Sequence, residues 1–247
     1  MSRSHETRIE IDAPIEEVWK AITEADGLSR WFAPRNEVKP GVGGHVLGDW
    51  GPGLEWKTVI EVWEPLKHLR LSEMRDRIFT TPPDESLKME ACRLVQDYYL
   101  ETANGKTVLR LVHSGFGSSD AWDLEYEGTR QGWATCFERM KYGLERYPGM
   151  RVHNLIIPWQ CHGVTPEESL SRVKAAVGQP LEMRFLDKGE FGGIASNEPG
   201  KFFSVSSQKT SAGSTVYIQC LLFNRTDADA AEFEEGWRAK LGRLFPR

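Results

Sequence analysis

The chain has 247 residues, and 31 Lys and Arg against 36 Asp and Glu give it a formal net charge of -5. At about 150 residues per domain, this length allows one large domain or two small ones. The acidic balance argues against a basic phosphate-binding surface, so we predict no nucleic-acid partner. The N-terminal sequence has no signal-peptide core and no apolar run is long enough to cross a bilayer. We therefore predict a cytoplasmic protein without membrane insertion.

The first 35 residues predict a strand followed by two helical segments. Alternation over residues 7–11 is typical of a half-buried strand. Pro14 then begins an amphipathic helix of about three turns, because Val18, Trp19 and Ile22 fall on one apolar stripe. One further helical turn fits within residues 28–34.

Residues 36–114 carry strand and turn signals and predict an antiparallel meander. Asn104 and Gly105 lie between two strand-like runs, at 89–100 and 107–113, and this dipeptide is a strong hairpin signal. Residues 75–86 are interpreted as a loop. Past Gly117 the apolar spacing becomes helical and predicts a helix of five to seven turns that ends at Pro148 and Gly149.

After residue 149 the order of elements begins again. The sequence predicts a strand at 152–157, a helix at 165–177, three strands at 181–186, 201–206 and 215–223, and a closing helix to residue 245. Gly132 and Trp133 align with Gly236 and Trp237 near the ends of the two halves. We interpret this as a degenerate duplication, with a first domain at 1–149 and a reduced repeat at 150–247.

Several short phrases share an order and spacing over about 145 residues. They are residues 11–19, Trp31 with Phe32, Gly43 with Gly44, residues 61–65 with Leu69, residues 113–116, and Gly132 with Trp133, Phe137, Arg139 and Met140. Together they resemble the helix-grip superfamily, known as START-like or SRPBCC, within it the group named after the activator of a heat-shock chaperone ATPase. The resemblance implies an α+β fold, in which a curved antiparallel sheet of six or seven strands grips a long C-terminal helix around a cavity. Residues 150–247 would form a second, reduced helix-grip-like unit.

This superfamily does not imply one chemistry, because the fold hosts many grafted sites. Its members bind lipids, polyketides or other apolar molecules, and a few are cyclases or hydrolases. We therefore expect a protein that binds a small apolar or aromatic ligand. Two alternatives stay open: a cyclase, dehydratase or hydrolase that uses the same cavity, and a chaperone co-factor that acts through its surface.

The sequence holds no motif for a cofactor or a metal. The usual phosphate loops and the nucleophile elbow are missing, the six histidines have no metal-ligand spacing, and the four cysteines are spread singly. We predict that the protein uses neither a cofactor nor a metal.

Two ionisable residues are weak catalytic candidates. Glu61 lies between Ile60 and Val62, so its carboxylate could face an apolar surface that would raise its pKa. His113 follows Leu109 and Leu111 in alternation and could act as an acid or base if that face is inside. A solvent-facing or paired glutamate and a histidine at a strand end are the alternatives.

Seven large apolar residues are candidate walls of one ligand cavity, and they could equally fill an ordinary core. They are Trp31, Phe32, Trp56, Trp63, Trp133, Phe137 and Met140.

Overall fold

In a computed structural model the chain forms two compact units, residues 1–148 and 149–247. The structure describes residues 3–51, 54–77, 88–177, 181–187, 190–195 and 199–246. Most of the predicted loop at 75–86 lies outside these described residues. None of the helices in this described part of the chain combines the length and the apolar composition that a bilayer crossing requires.

The first unit contains seven strands and three helices. In chain order they are β1 (Arg3–Ile11), α1 (Ile15–Thr23), α2 (Ala25–Ser29), β2 (Arg35–Lys39), β3 (His45–Asp49), β4 (Glu55–Glu64), β5 (His68–Arg77), β6 (Lys88–Ala103), β7 (Lys106–Phe116) and α3 (Asp120–Arg146). The strands form one antiparallel sheet in the order β1-β7-β6-β5-β4-β3-β2, and α3 packs against β1 and β6. The predicted α+β helix-grip class is confirmed for this unit.

Local sequence explains the ends of several elements. Pro14 precedes α1, and Glu16 and Glu17 lie in its first turn, where they interact favourably with the helix dipole. Asn104 and Gly105 both have positive φ angles, 52° and 75°, as a two-residue hairpin turn requires. The helix α2 spans Ala25–Ser29 and begins earlier than predicted.

The register of β4 shifts at Glu61. Ile60 pairs with Leu71, whereas Val62 pairs with Arg70 and Trp63 with Leu69, so Glu61 is an extra residue in this strand. Without this shift, regular alternation along β4 would place Trp63 on the same face as Glu61. Trp63 instead lies opposite Leu69 and packs against Trp19 of α1, with ring centroids 5.4 Å apart.

The core of the first unit lies between the sheet and the helices. Leu69, Leu109 and Leu111 of the sheet are fully buried. Phe137 and Met140 of α3 belong to the same apolar cluster. This cluster, together with a smaller one of Met89, Leu94, Phe116 and Trp122, therefore fixes α3 on the inner face of the sheet, as the helix-grip arrangement requires.

The second unit is smaller and has its own core. Its elements are β8 (Val152–His162), α4 (Pro166–Val177), β9 (Leu181–Asp187), β10 (Glu190–Ala195), β11 (Lys201–Thr210), β12 (Gly213–Phe223) and α5 (Asp227–Leu244). The strands form an antiparallel sheet in the order β8-β12-β11-β10-β9. As in the first unit, the first strand pairs with the last. The strand β10 was missed by the sequence analysis.

Candidate functional site

A small apolar cavity lies inside the first unit, beside α2 and the inner face of the sheet. Its volume is about 20 Å³, which is room for about one water molecule. Eleven side chains line it, and none of them is charged: Ile22, Leu28, Trp31, Phe32, Val46, Trp56, Thr58, Leu71, Gln96, Tyr98 and Trp133. The interior is therefore nearly filled by its own side chains.

Four of the seven predicted wall residues line this cavity. Trp31 is held by a hydrogen bond from its Nε1 to the Ala21 carbonyl oxygen, 2.8 Å away. Phe32 stacks on Trp133 with an interplanar angle of 4° and a centroid distance of 5.6 Å. Trp56 packs beside both of these rings. The side chains from α3, from β4 and from the segment after α2 thus meet at one place.

The other three predicted wall residues lie away from the cavity surface. Phe137 is buried behind the cavity wall. Its ring centroid lies 6.2 Å from that of Trp31 and 6.1 Å from that of Trp133. Met140 is buried in the core cluster. Trp63 packs on α1, as described above.

Sequence reasoning missed three polar side chains at the cavity, Thr58 of β4 and Gln96 and Tyr98 of β6. Tyr98 donates a hydrogen bond to Gln96 Oε1 at 3.1 Å. The Gln96 Nε2 group is buried and has no hydrogen-bond partner among the described residues. Because Gln96 lines the cavity, it offers a donor to an oxygen atom placed there. The alternation of Leu94, Gln96 and Tyr98 along one strand was the available signal.

His113 is fully buried on the inner face, next to the cavity wall. Its Nδ1 accepts a hydrogen bond from Trp133 Nε1 at 3.1 Å, which makes Nδ1 the unprotonated nitrogen. Burial lowers its pKa well below the usual value, so the ring is neutral at pH 7. Its pairing partner across the sheet, His5, lies with its ring 5.3 Å away. His113 therefore fixes the orientation of a cavity-wall tryptophan.

A buried ion cluster lies beyond Trp56. Arg75 donates hydrogen bonds to both carboxylate oxygens of Glu73 at 2.9 Å and to Glu125 at 2.6 Å. Its guanidinium also lies over the Trp56 ring, 4.9 Å from the centroid. Burial raises the pKa of Glu73. The guanidinium thus adds a cation–π contact to the packing of this cavity-wall ring.

Glu61 does not face the cavity. It accepts a hydrogen bond from Ser72 Oγ at 2.5 Å and forms an ion pair with Arg93. These two hydrogen bonds lower the pKa of Glu61, which is the opposite of the rise expected for a carboxylate facing an apolar surface. The structure therefore does not bring Glu61 and His113 together.

No group of three or more His, Cys, Asp or Glu that could hold a metal ion occurs within the residues that the structure describes. The described interior of the first unit thus offers an apolar wall, one free amide donor and a neutral histidine behind it.

Comparison with known proteins found no match among the curated proteins. Among solved structures, protein MLL2253 from Mesorhizobium loti is 26% identical over 59% of this chain and 98% of its own, with a TM-score of 0.48. The Aha1 dimer from Colwellia psychrerythraea is 21% identical over 60% of this chain and 99% of its own, with a TM-score of 0.46. DynU16, from the dynemicin biosynthetic locus, is 15% identical over 94% of this chain and 92% of its own, with a TM-score of 0.45.

The family model described as "Activator of Hsp90 ATPase homolog 1-like protein" matches residues 12–145, which is more than half of the chain. The matched segment runs from the end of β1 almost to the end of α3. The predicted family is therefore confirmed: this chain belongs to the family of activator of Hsp90 ATPase homolog 1-like proteins, within the START-like superfamily.

Proposed function

We propose that the first unit binds one small aromatic or apolar molecule that carries a hydrogen-bond acceptor. The observation that supports this is the apolar cavity with Gln96 Nε2 on its wall, a buried donor that has no hydrogen-bond partner among the described residues. An apolar wall favours an apolar guest over ordered water, and a buried amide donor favours an oxygen atom at one end of that guest.

The volume requires that a side chain move when the ligand enters. A benzene-sized guest needs an apolar cavity of about 150 Å³, far more than the 20 Å³ present. Phe32 is the side chain best placed to move, because it follows the short helix α2 and stacks flat on Trp133. An aromatic ligand would take up the stacking position on Trp133 that the Phe32 ring occupies.

Titration with acetophenone, an aromatic ketone, tests this proposal in the full chain. We expect calorimetry to show one saturable site, and Phe32→Ala to bind more tightly because the competing ring is gone. Trp63→Phe is the matched control, because Trp63 does not line the cavity and should leave the affinity unchanged. Absence of saturable binding to both the wild type and Phe32→Ala would overturn the proposal.

The variant Gln96→Leu separates the contribution of the Gln96 hydrogen bond to ligand affinity from that of the apolar cavity wall. Loss of the amide donor should weaken acetophenone binding about fivefold to tenfold, the value of one net hydrogen bond. Binding of α-methylstyrene, which has the same shape without the oxygen, should not fall. Equal losses for both molecules would contradict the assigned role of Gln96.

A second candidate function is interaction with a chaperone through the outer face of the sheet. Two apolar side chains are exposed there, Val59 at 49% and Met74 at 67%, beside the ion pair of Glu61 and Arg93. The nearly filled interior also favours this alternative. The family name suggests an Hsp90-type ATPase as the partner. If the chain raises the ATPase rate of such a chaperone and Met74→Glu abolishes the increase, this function replaces ligand binding.

A further inference from the structure

Three buried polar side chains stand side by side on the inner face of the first-unit sheet, one on each of three neighbouring strands. Gln96 of β6 lies directly opposite His113 of β7, and His113 lies directly opposite His5 of β1. Directly opposed residues of an antiparallel sheet project from the same face. Their exposed fractions are 2%, 0% and 7%. We call these three residues the polar row, which begins at the cavity because Gln96 lines it.

Each member of the polar row has one nitrogen atom without a hydrogen-bond partner among the described residues. These atoms are Gln96 Nε2, His113 Nε2 and His5 Nδ1. Buried polar side-chain atoms in proteins are mostly hydrogen-bonded, so three such atoms on adjacent strands call for a physical reason. Binding of a polar group by the row would supply one.

The other contacts of the two histidines determine which of these nitrogens carries a proton. Burial lowers the pKa of both rings, so both are neutral at pH 7. His113 Nδ1 accepts a hydrogen bond from Trp133 Nε1, which leaves the ring proton on Nε2. Thr129 Oγ1 donates its one proton to backbone carbonyl oxygens of α3, the nearer at 2.8 Å. It therefore accepts from His5 Nε2, 3.2 Å away, and His5 Nδ1 is an unprotonated acceptor.

The polar row thus presents two donors and one acceptor, which is the complement of a single hydroxyl group. A hydroxyl oxygen accepts two hydrogen bonds through its lone pairs and donates one through its proton. A carbonyl oxygen has no proton to give to His5 Nδ1. A carboxylate would bring a negative charge to this lone pair in a buried site, which is unfavourable. The row therefore favours an alcohol or phenol oxygen over either of these groups.

Two aromatic rings connect the polar row to the cavity. The His113 ring centroid lies 6.3 Å from that of Trp56 and 6.2 Å from that of Trp133. Both tryptophans line the cavity. A guest in the cavity therefore meets Gln96 on the wall and His113 directly behind these two rings.

We propose, on the basis of the ligand site proposed above for the first unit, that its ligand is an aromatic molecule with a hydroxyl group and that the polar row binds this hydroxyl. The hydroxyl oxygen would accept hydrogen bonds from Gln96 Nε2 and His113 Nε2 and donate one to His5 Nδ1. The aromatic ring would lie on Trp133. The polar row thereby assigns the chemical class of the ligand.

Two molecules of similar shape test this proposal in the full chain. Calorimetry at pH 7 compares acetophenone with the tighter-binding enantiomer of 1-phenylethanol, in the wild type and in Phe32→Ala. We expect the alcohol to bind about fivefold to tenfold more tightly, since it makes one further hydrogen bond. Equal affinities, or tighter binding of the ketone, would overturn the proposed hydroxyl site and leave the apolar ligand site standing. If neither molecule binds to either chain, both proposals fail.

Two substitutions at His5 test the acceptor. His5→Asn retains an oxygen acceptor near the position of Nδ1, whereas His5→Gln retains only a group near Thr129. We expect His5→Asn to keep the preference for the alcohol and His5→Gln to lose it. Acetophenone needs no acceptor at His5, so its affinity should change less than about twofold in both variants.

Near-ultraviolet circular dichroism checks that the His5 variants keep a packed core. A preference for the alcohol that survives in folded His5→Gln would overturn the proposal. If neither variant folds, the comparison of the two molecules in the wild type and in Phe32→Ala decides.

Discussion

Acidification should destabilise the first unit through His5. This side chain is 7% exposed, and its Nε2 lies 3.2 Å from Thr129 Oγ1. Burial, and to a lesser extent the charge of Arg130, lower its pKa from 6.5 to about 4, while Glu127 opposes the shift. The folded protein therefore takes up a proton on this ring less readily than the unfolded chain does.

The sign and size of the effect follow from this difference. Between pH 6.5 and 4 the unfolded state binds more protons at His5, so stability is present above pH 6.5 and is lost as the pH falls. The loss is about 2 kcal/mol at pH 5 and about 3 kcal/mol at pH 4. His113 acts in the same direction, since burial also lowers its pKa. Glu73 acts in the opposite direction, because its raised pKa favours the folded state on acidification.

Urea unfolding between pH 7.5 and 4, followed by tryptophan fluorescence, measures this loss. Seven of the nine tryptophans belong to the first unit, so the signal reports chiefly on that unit. His5→Gln should lose about 2 kcal/mol less than the wild type between pH 7.5 and 5. His162→Gln, at an exposed histidine of the second unit, should follow the wild type. Identical pH dependence in the wild type and in His5→Gln would refute this reasoning.

Three further predictions concern the packing and the two units. Trp133→Ala should lower the free energy of unfolding by about 3–5 kcal/mol, because this buried ring packs on Phe32 and donates a hydrogen bond to His113. A loss of less than about 0.5 kcal/mol in urea unfolding would contradict this prediction. A fragment of residues 1–148 should melt cooperatively because it contains a complete core, and a fragment without near-ultraviolet dichroism would show otherwise. Glu61→Gln should cost less than about 1 kcal/mol and leave acetophenone binding unchanged in calorimetry, because its ion pair is partly exposed on the outer face.

The order of elements in the first unit was predictable because each carries a local signal. The dipeptide of Asn104 and Gly105 defines one hairpin, and the spacing that follows Pro14 defines α1. The strand β10 was missed because Gly192 and Gly193 interrupt its pattern and have low strand propensity. Equivalence of Trp133 and Trp237 in a duplicated fold stays a prediction, although both are buried on the closing helix of their unit.

The candidate site was less predictable than the fold. Which of the seven apolar residues line the cavity depends on distances between elements, and a sequence does not contain these distances. The volume left between them depends on packing to within a methyl group. The ion cluster of Arg75, Glu73 and Glu125 joins β5 to α3 across 50 residues of chain, so no local pattern indicates it.

The extra residue in β4 determines where this strand can lose one residue without a change in its core. Removing Glu61 would leave Ile60 and Val62 adjacent with their present pairing partners, and Trp63 would still point at α1. Removing Thr58 instead would shift the register of the residues on one side of the deletion by one position. Their buried side chains would then point to the outer face of the sheet. In an alignment of related sequences, a one-residue gap in this strand should therefore fall at position 61. Proteins with and without this residue would keep the same buried core, so the gap could mark branches of the family.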